Sequence, residues 1–447
     1  MPLSVDEILQ LAPDTASAKA AKGLVVPAKW PTLNAAEAVL WGECQGSGSK
    51  PYQVQIDQSE PAFRCTCPSR KFPCKHGLAL MLLWAQHAAS FTQGVELPAW
   101  VAEWLASRQK RAEKQEQKVK AAAETPETPA DLQAAAKREA ARQQRMNAGL
   151  DELERWLADH VRHGLAALPA QPKIWGEIAA RMVDAQLPGL AFRLRQLEWV
   201  AGRGHDWPAR LLARFGQLQL LIDAFRRIGE LPDLVQADVR TALGLATDKT
   251  VVVAQGERIA DTWLALGQSV DEEDRLWVRR VWLHGQQSGR RALLLDYSHG
   301  GRRFDLSIVT GTALAMTLAF YPSTAPLRAI IVDPPQLAPN AKITPVSTLD
   351  AALTDLAAAI SANPWQWPQS LLISDGVPVP SKAGWRLRTG AGQQLPLHLP
   401  DEAAWPLVAE SGGSPITVFG EWNGETLRPL SASFGEALVW REKVDAT

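Results

Sequence analysis

Residues 65–76 read CTCPSRKFPCKH and place Cys65, Cys67, Cys74 and His76 within twelve positions. Three soft thiolates and one imidazole are the donor set of a tetrahedral zinc ion, with bonds of ~2.3 Å to sulfur and ~2.0 Å to nitrogen. In extended chain, residues i and i+2 point to the same side, so Cys65 and Cys67 turn inward while Thr66 faces out. Pro68 and Pro73 bracket the loop 69–72, and Cys74 and His76 arrive at the start of the next helix. Four protein ligands close the coordination shell, the arrangement of a structural ion, whereas hydrolytic zinc keeps one position for water. Redox or plain buried-thiol roles are the alternatives, but a Cys65–Cys67 disulfide would close a very small, strained ring. Cys44 is expected as a packed free thiol outside the ligand set.

Outward from this segment, residues 38–44 and 52–57 form a hairpin about the Gly/Ser turn 45–50. In its second strand Tyr52, Val54 and Ile56 alternate with Gln53, Gln55 and Asp57. On the C-terminal side KHGLALMLLWAQHAA (75–89) is helical in length and composition, with Leu80, Leu83, Trp84 and His87 on one face. Leu78, Met81 and Leu82 widen the apolar surface beyond one stripe, so the helix must dock on more than a hairpin. His87 is expected as a helix-face or surface histidine. Arg64, Arg70, Lys71 and Lys75 surround the ligands with no acid between Arg64 and His76. They can contact phosphates, balance three thiolates that outweigh a +2 ion, or face an acidic protein surface.

The pattern C-x-C, short loop, C-x-H, with a β-hairpin before and a helix after, resembles the SWIM-type zinc finger over about residues 36–90. All four ligand positions match. The resemblance implies a small ββα unit, one structural Zn2+ per chain, and binding of DNA or protein in contexts that include Swi/Snf-type ATPases, Mutator-type transposases and a ubiquitin-linked kinase. The overall layout resembles bacterial SWIM-containing proteins encoded beside MoxR-type AAA ATPases and von Willebrand A proteins, which implies a protein partner of one of those kinds. A protein partner stands ahead of nucleic acid, because the helix after the ligands is too apolar for a groove reader, which needs polar side chains at base edges.

The rest of the 447 residues is too long for one typical domain. A hydrophobic fraction of 46% and a charged fraction of 21% exclude global disorder, and a net charge of -1 excludes a whole-molecule electrostatic footprint for nucleic acid. MPLSVDEILQ has no basic leader segment, and no window reaches the ~18 apolar residues of a membrane span. A cytoplasmic protein with no membrane contact is expected, and the sparse cysteines agree.

The expected organisation is multidomain α+β. Residues 1–35 form an N-terminal helical segment with Ser4 as N-cap and Asp6 and Glu7 in the first turn; 36–90 are the finger and 91–106 flank it. Residues 107–149, rich in Ala, Gln, Lys, Arg and Glu around ETPETP, form a charged linker that is solvated and partly helical. Residues 150–248 are a helical region broken at 164–172, 188–189, 202–208 and 229–232. Residues 249–447 are an α+β region with strands at 250–254, 276–283, 292–297, 304–310, 328–333 and 416–422 and helices at 311–320 and 349–362. The acidic run 271–274 is expected to be solvated.

His284, His299 and His398 and the run DYSH at 296–299 form no known triad spacing, and Walker A, G-x-S-x-G and H-E-x-x-H motifs are absent. The expectation is a non-enzymatic zinc-binding adaptor. The alternatives are a DNA-binding protein, or an enzyme with its active site in residues 249–447.

Overall fold

The computed structural model describes residues 5–12, 15–46, 48, 50–58, 62–69, 73–110, 129–245, 247–273, 276–299, 304, 306, 308–338, 347–382 and 384–442. The proposed N-cap Ser4 lies outside them. The hairpin expected before the cysteines is present as β2 (Val39–Cys44) and β3 (Tyr52–Asp57). It is the middle of a larger sheet. With β1 (Thr32–Ala36), β4 (Ala62–Cys65) and β5 (Thr92–Gln93) the order is β4-β3-β2-β1-β5, so the ββα unit implied by resemblance is embedded in five strands. β4 and β5 are too short to carry a period-2 signal.

Helix α3 (Lys75–His87) explains why its apolar surface exceeds one stripe. It packs on β2 and β3 on one side and on α1 (Val5–Gln10) and α2 (Thr15–Lys22) on the other. Ile8, Ala21, Leu40, Val54 and Ile56 share one buried cluster with Leu78 to Leu83, and Val309 from the distant C-terminal region joins it. A further helix, residues 99–110 (α4), is tied to the sheet by Arg108 against Asp57 at 3.8 Å.

The stretch 107–149 is helical at both described ends. Residues 111–128 lie outside the described set, and α5 (Pro129–His163) begins just after them. Its residues 136–141 are exposed, and Met146 is the first to enter the core. Ala, Arg, Gln and Glu favour helix intrinsically, so this segment is both solvated and regular. α5 packs with α6 (Lys173–Asp184), α7 (Pro188–Leu197), α8 (Trp207–Arg226) and α9 (Asp233–Leu243) around Leu153, Trp175, Ile178, Leu194, Phe215 and Ile222. The breaks expected at 164–172, 202–208 and 229–232 fall at or beside the observed ones, whereas Pro188 and Gly189 open α7 and the break lies just before them, because proline is tolerated in a first helical turn.

The C-terminal region begins with a barrel. β6 (Arg258–Glu273) pairs through its first half with β9 (Ala313–Phe320) and through its second half with β7 (Leu276–Gly285). β8 (Arg291–His299) follows β7, and β10 (Arg328–Ile331) closes the ring by pairing parallel to β8 and antiparallel to β9. β11 (Gln336–Ala338) extends β9. Trp263, Val281, Leu283, Leu294, Leu314, Met316 and Phe320 fill the interior.

A second sheet follows in the order β14-β13-β12-β15-β16-β17, comprising β12 (Gln369–Ser381), β13 (Gly384–Arg388), β14 (Gln394–Pro396), β15 (Ile416–Trp422), β16 (Leu427–Phe434) and β17 (Ala437–Arg441). α11 (Leu349–Ala362) and α12 (Asp401–Ser411) cover one of its faces. The other face meets the barrel, where Leu372, Phe419 and Leu430 pack on Leu264, Leu266, Trp282 and Leu293. Gly267 permits the approach, since a Cβ there would lie 2.6 Å from Leu430 Cβ.

Four expectations for this region are corrected. Residues 250–254 lie in helix α10 (Lys249–Gln255): the Asp248 carboxylate caps it by accepting from Thr250 N at 2.8 Å, and Val252 packs on Ala319 and Tyr321. Residues 313–320, expected as helix, form β9, which is held between β6 and the β10/β11 side of the barrel. Good helix formers such as Ala, Leu and Met are overridden there by tertiary pairing. The described members of 304–310 (304, 306 and 308–310) form no strand. The acidic run is also held rather than solvated at Asp271 and Glu273, both paired with Arg280; Asp274 lies outside the described residues.

The units are joined by specific polar contacts. Asp238 of α9 is buried and accepts from Thr324 N at 3.0 Å and from Asn363 Nδ2 at 2.8 Å, while Arg193 of α7 donates to the Trp365 carbonyl at 2.5 Å. The architecture is thus multidomain α+β: an N-terminal sheet with its Cys/His segment, a helical middle, and a sheet-rich C-terminal region.

Candidate metal centre

Cys65 ends β4, held by pairing opposite Val54 of β3. Thr66 then faces out: it is exposed, its hydroxyl accepts from Gln53 N at 2.9 Å, and its own N–H donates to Gln53 O at 3.0 Å. Anchoring Thr66 to β3 leaves Cys67 on the inner side, where its N–H donates to Cys65 Sγ at 3.5 Å. Cys74 is the N-cap of α3, with extended φ/ψ and Sγ accepting from Gly77 N at 3.5 Å. His76 sits in the first turn, buried, with its ring 5.0 Å from that of Tyr52. Gly77 suits the close approach of β4, since a Cβ there would lie a tight 3.1 Å from Phe63 Cδ1 and the ring would have to give way.

One ligand atom from each of Cys65, Cys67, Cys74 and His76 falls within 4.8 Å of all the others. Cys65 Sγ and His76 Nδ1 are 3.8 Å apart. A tetrahedron with bonds of ~2.0 to ~2.3 Å has edges of roughly 3.5 to 3.8 Å, so little adjustment closes the site on zinc. The thiols alone are in electrostatic conflict. The hydrogen bond to Cys67, then that to Cys74, then burial push the Cys65 thiol up, while the hydrogen bond from Cys65, followed by that from Cys74, holds Cys67 low. A divalent cation resolves this by stabilising all three thiolates together. The four side chains are positioned to bind a zinc ion, and with four protein ligands the shell is complete.

Residues 52–85 match the SWIM zinc finger. Residues 141–243 match the SWIM-associated four-helix bundle domain. The second match begins inside the stretch expected as linker, close to where Met146 enters the bundle core, and ends at the last residue of α9. No curated protein and no solved structure matches the chain.

Of the candidate contacts around the metal, Arg64 on β4 and Lys75 at the start of α3 are exposed, and Arg70 and Lys71 lie outside the described residues. Cys44 is fully buried and not among the clustered ligands, and burial pushes its thiol up to about 11 against the pull of Lys75 and Lys29. His87 is exposed in the last turn of α3. The supporting residues Tyr52, Phe63 and Gly77 were not singled out from sequence as parts of the site. Only the glycine directly after C-x-H offers a local signal.

His284, His299 and His398 fall on β7, on the end of β8 and in the segment between β14 and α12. His284 is buried, and burial followed by the Arg291 charge lowers its pKa. Asp296 of the DYSH run is engaged by Arg279, whose Nε and Nη2 donate to it at 3.0 and 2.5 Å. No helix among the described residues is long and apolar enough to cross a membrane.

Proposed function

We propose that the finger is a docking element for a protein partner, carried by the bundle and the C-terminal region as a non-enzymatic adaptor. The observation that carries this reading is the burial of α3: His76 to Leu83 all lie in the core, so the turns of the helix next to the metal offer no face to a DNA groove, and its exposed residues are Lys75 and the last turn. Around the metal the exposed side chains include Arg64, Thr66, Ser69 and Lys75, two of them positively charged. Such a surface suits an acidic patch on a folded protein. A partner of the MoxR-type AAA ATPase or von Willebrand A kind, as the layout implies, is the first to test. A cytosolic setting suits thiolate ligands that must stay reduced.

Nucleic acid remains the second reading because Arg64 and Lys75 also suit phosphates. So few contacts would give weak, steeply salt-dependent binding. Native pull-down of the full chain, with nucleic-acid content measured before and after nuclease, separates the two. A stoichiometric protein that survives nuclease, and is lost in Arg64→Ala/Lys75→Ala at unchanged zinc content, is the expected result. Recovery of nucleic acid alone, released by moderate salt, would replace the adaptor reading with the second one.

A further inference from the structure

A cavity of 320 Å³ lies where one end of the barrel meets α11 and the start of β12. Pro326 and Leu327 of the β9–β10 loop and Leu356 of α11 give it an apolar wall. Its charged groups are two of each sign, Glu257, Arg290, Arg291 and Asp355, and they are not equivalent. Arg290 is occupied, with both terminal nitrogens donating to the Glu257 carboxylate at 3.1 and 3.2 Å. Arg291 is half-buried and donates through Nη1 to the Ser370 carbonyl at 3.1 Å. Asp355 lines the same cavity and is the carboxylate whose field reaches Arg291, yet among the described residues no ion pair joins them. A guanidinium carries five N–H donors and a carboxylate is acceptor-only, so unused donors and acceptors face one shared cavity that opens to solvent.

We propose that this cavity binds a small zwitterion of amino-acid size, its carboxylate on Arg291 and its ammonium on Asp355. A simple anion would satisfy Arg291 while meeting Asp355 and Glu257, and a simple cation would meet the two arginines. A zwitterion satisfies both sides of a lining that is balanced in charge. The volume sits at the lower end of small-molecule sites, roughly 300 to 1,000 Å³, and the apolar wall leaves room for a modest side chain. Five-stranded Greek-key barrels of the OB type use the face of their second and third strands and the loop between the fourth and fifth for ligands. Here the outer face of β7 and β8 is covered by the C-terminal sheet, through Trp282 and Leu293, while the β9–β10 loop lines the cavity.

The test is isothermal titration of the full zinc-loaded chain with each common L-amino acid, with acetate and inorganic phosphate as singly functional probes. At least one amino acid is expected to bind, and Arg291→Gln and Asp355→Asn are each expected to weaken it tenfold or more, the scale of one charged hydrogen bond. Melting temperature and zinc content should hold in Asp355→Asn, an exposed position on α11, which keeps the test decisive if Arg291→Gln folds poorly. Absence of heat from every amino acid overturns the proposal. So does binding of phosphate or acetate that matches the best amino acid and is indifferent to Asp355→Asn.

Discussion

The metal centre and the joint between the barrel and the C-terminal sheet both gather ionisable side chains, by opposite routes. The four ligands lie within residues 65–76, on one strand end, one loop and one helix start. At the joint, Asp271 and Glu273 come from β6, Arg280 from β7, Glu421 from β15, Arg428 from β16 and Glu442 from just beyond β17. At the metal centre the compensating charge comes from outside the chain, so a short segment suffices and its spelling is visible. At the joint the chain supplies its own cations, two guanidinium groups against four carboxylates, with Ser269 and Trp282 also donating to Glu421 at 3.2 and 2.9 Å. A locally encoded cluster should therefore fail by losing its ion, and a globally assembled one by losing a single charge.

The largest effect is expected at the metal. Elemental analysis is expected to find one equivalent of zinc in the unaltered chain and none in Cys74→Ser or His76→Ala, each of which withdraws on the order of 10 kcal/mol from the N-terminal module. Proteolysis should then cut near residues 60–90 while the bundle and the barrel resist. Zinc-free protein with α3 still protected would show that the docking of α1 and α2 alone holds the module and that the ion is not what the segment depends on.

Next comes Arg280→Leu, which takes the cation from Glu273 and Glu421 in a half-buried joint and leaves Asp271 to Arg428 alone. Breaking one partner from such a network costs about 3 to 5 kcal/mol, read as a lowered urea midpoint, and adding Glu421→Leu should recover part of it. An additive double variant would mean that the two groups do not act together.

What was legible follows the same division. Contiguous features with one strong period were read at their bounds: β3 at 52–57, β15 at 416–422 and α11 at 349–362. The breadth of apolar surface on α3 announced a second docking partner, which α1 and α2 provide. The barrel was hidden for physical reasons. β6 changes register between Ala265 and Gly267, which breaks its alternation, and β9 is buried along most of its length, so Ala, Leu and Met there carry no period. Asp271 reaches Arg428 across 157 residues, a contact that no local pattern encodes. At the metal centre the ligands were legible, but Phe63 against Gly77 and Tyr52 against His76 were not, because each depends on the β3–β4 pairing.

A pH dependence belongs to the joint. Burial pushes the Glu442 carboxyl up to about 7, with Arg428 opposing the shift and Asp271 and Glu421 adding to it. A folded pKa above the unfolded value means that the contribution is fully present below the unfolded pKa of about 4.5 and is lost as pH rises through about 7. Between those limits the stability of the C-terminal region should fall by on the order of 3 kcal/mol. Glu442→Gln should flatten that slope and leave the protein the more stable form at pH 8. Equal slopes in both proteins would place the titration elsewhere.

The smallest effect sharpens the other side. Cys44 is buried on β2, and its thiol is held protonated by burial, so at neutral pH it is a small hydrophobe beside the metal centre rather than a fourth thiolate. Cys44→Ala removes one buried sulfur and should cost about 1 kcal/mol, without changing zinc stoichiometry or the rate at which a chelator strips the ion. The same sulfur change at Cys74, the residue that caps α3, removes a ligand. Comparing Cys44→Ala with Cys74→Ser by elemental analysis and chelator kinetics thus asks whether the ion is held by the four clustered ligands or by every thiol in the module. Faster zinc loss in Cys44→Ala would mean that the packed thiol supports the site, and that the module's charge compensation extends beyond residues 65–76.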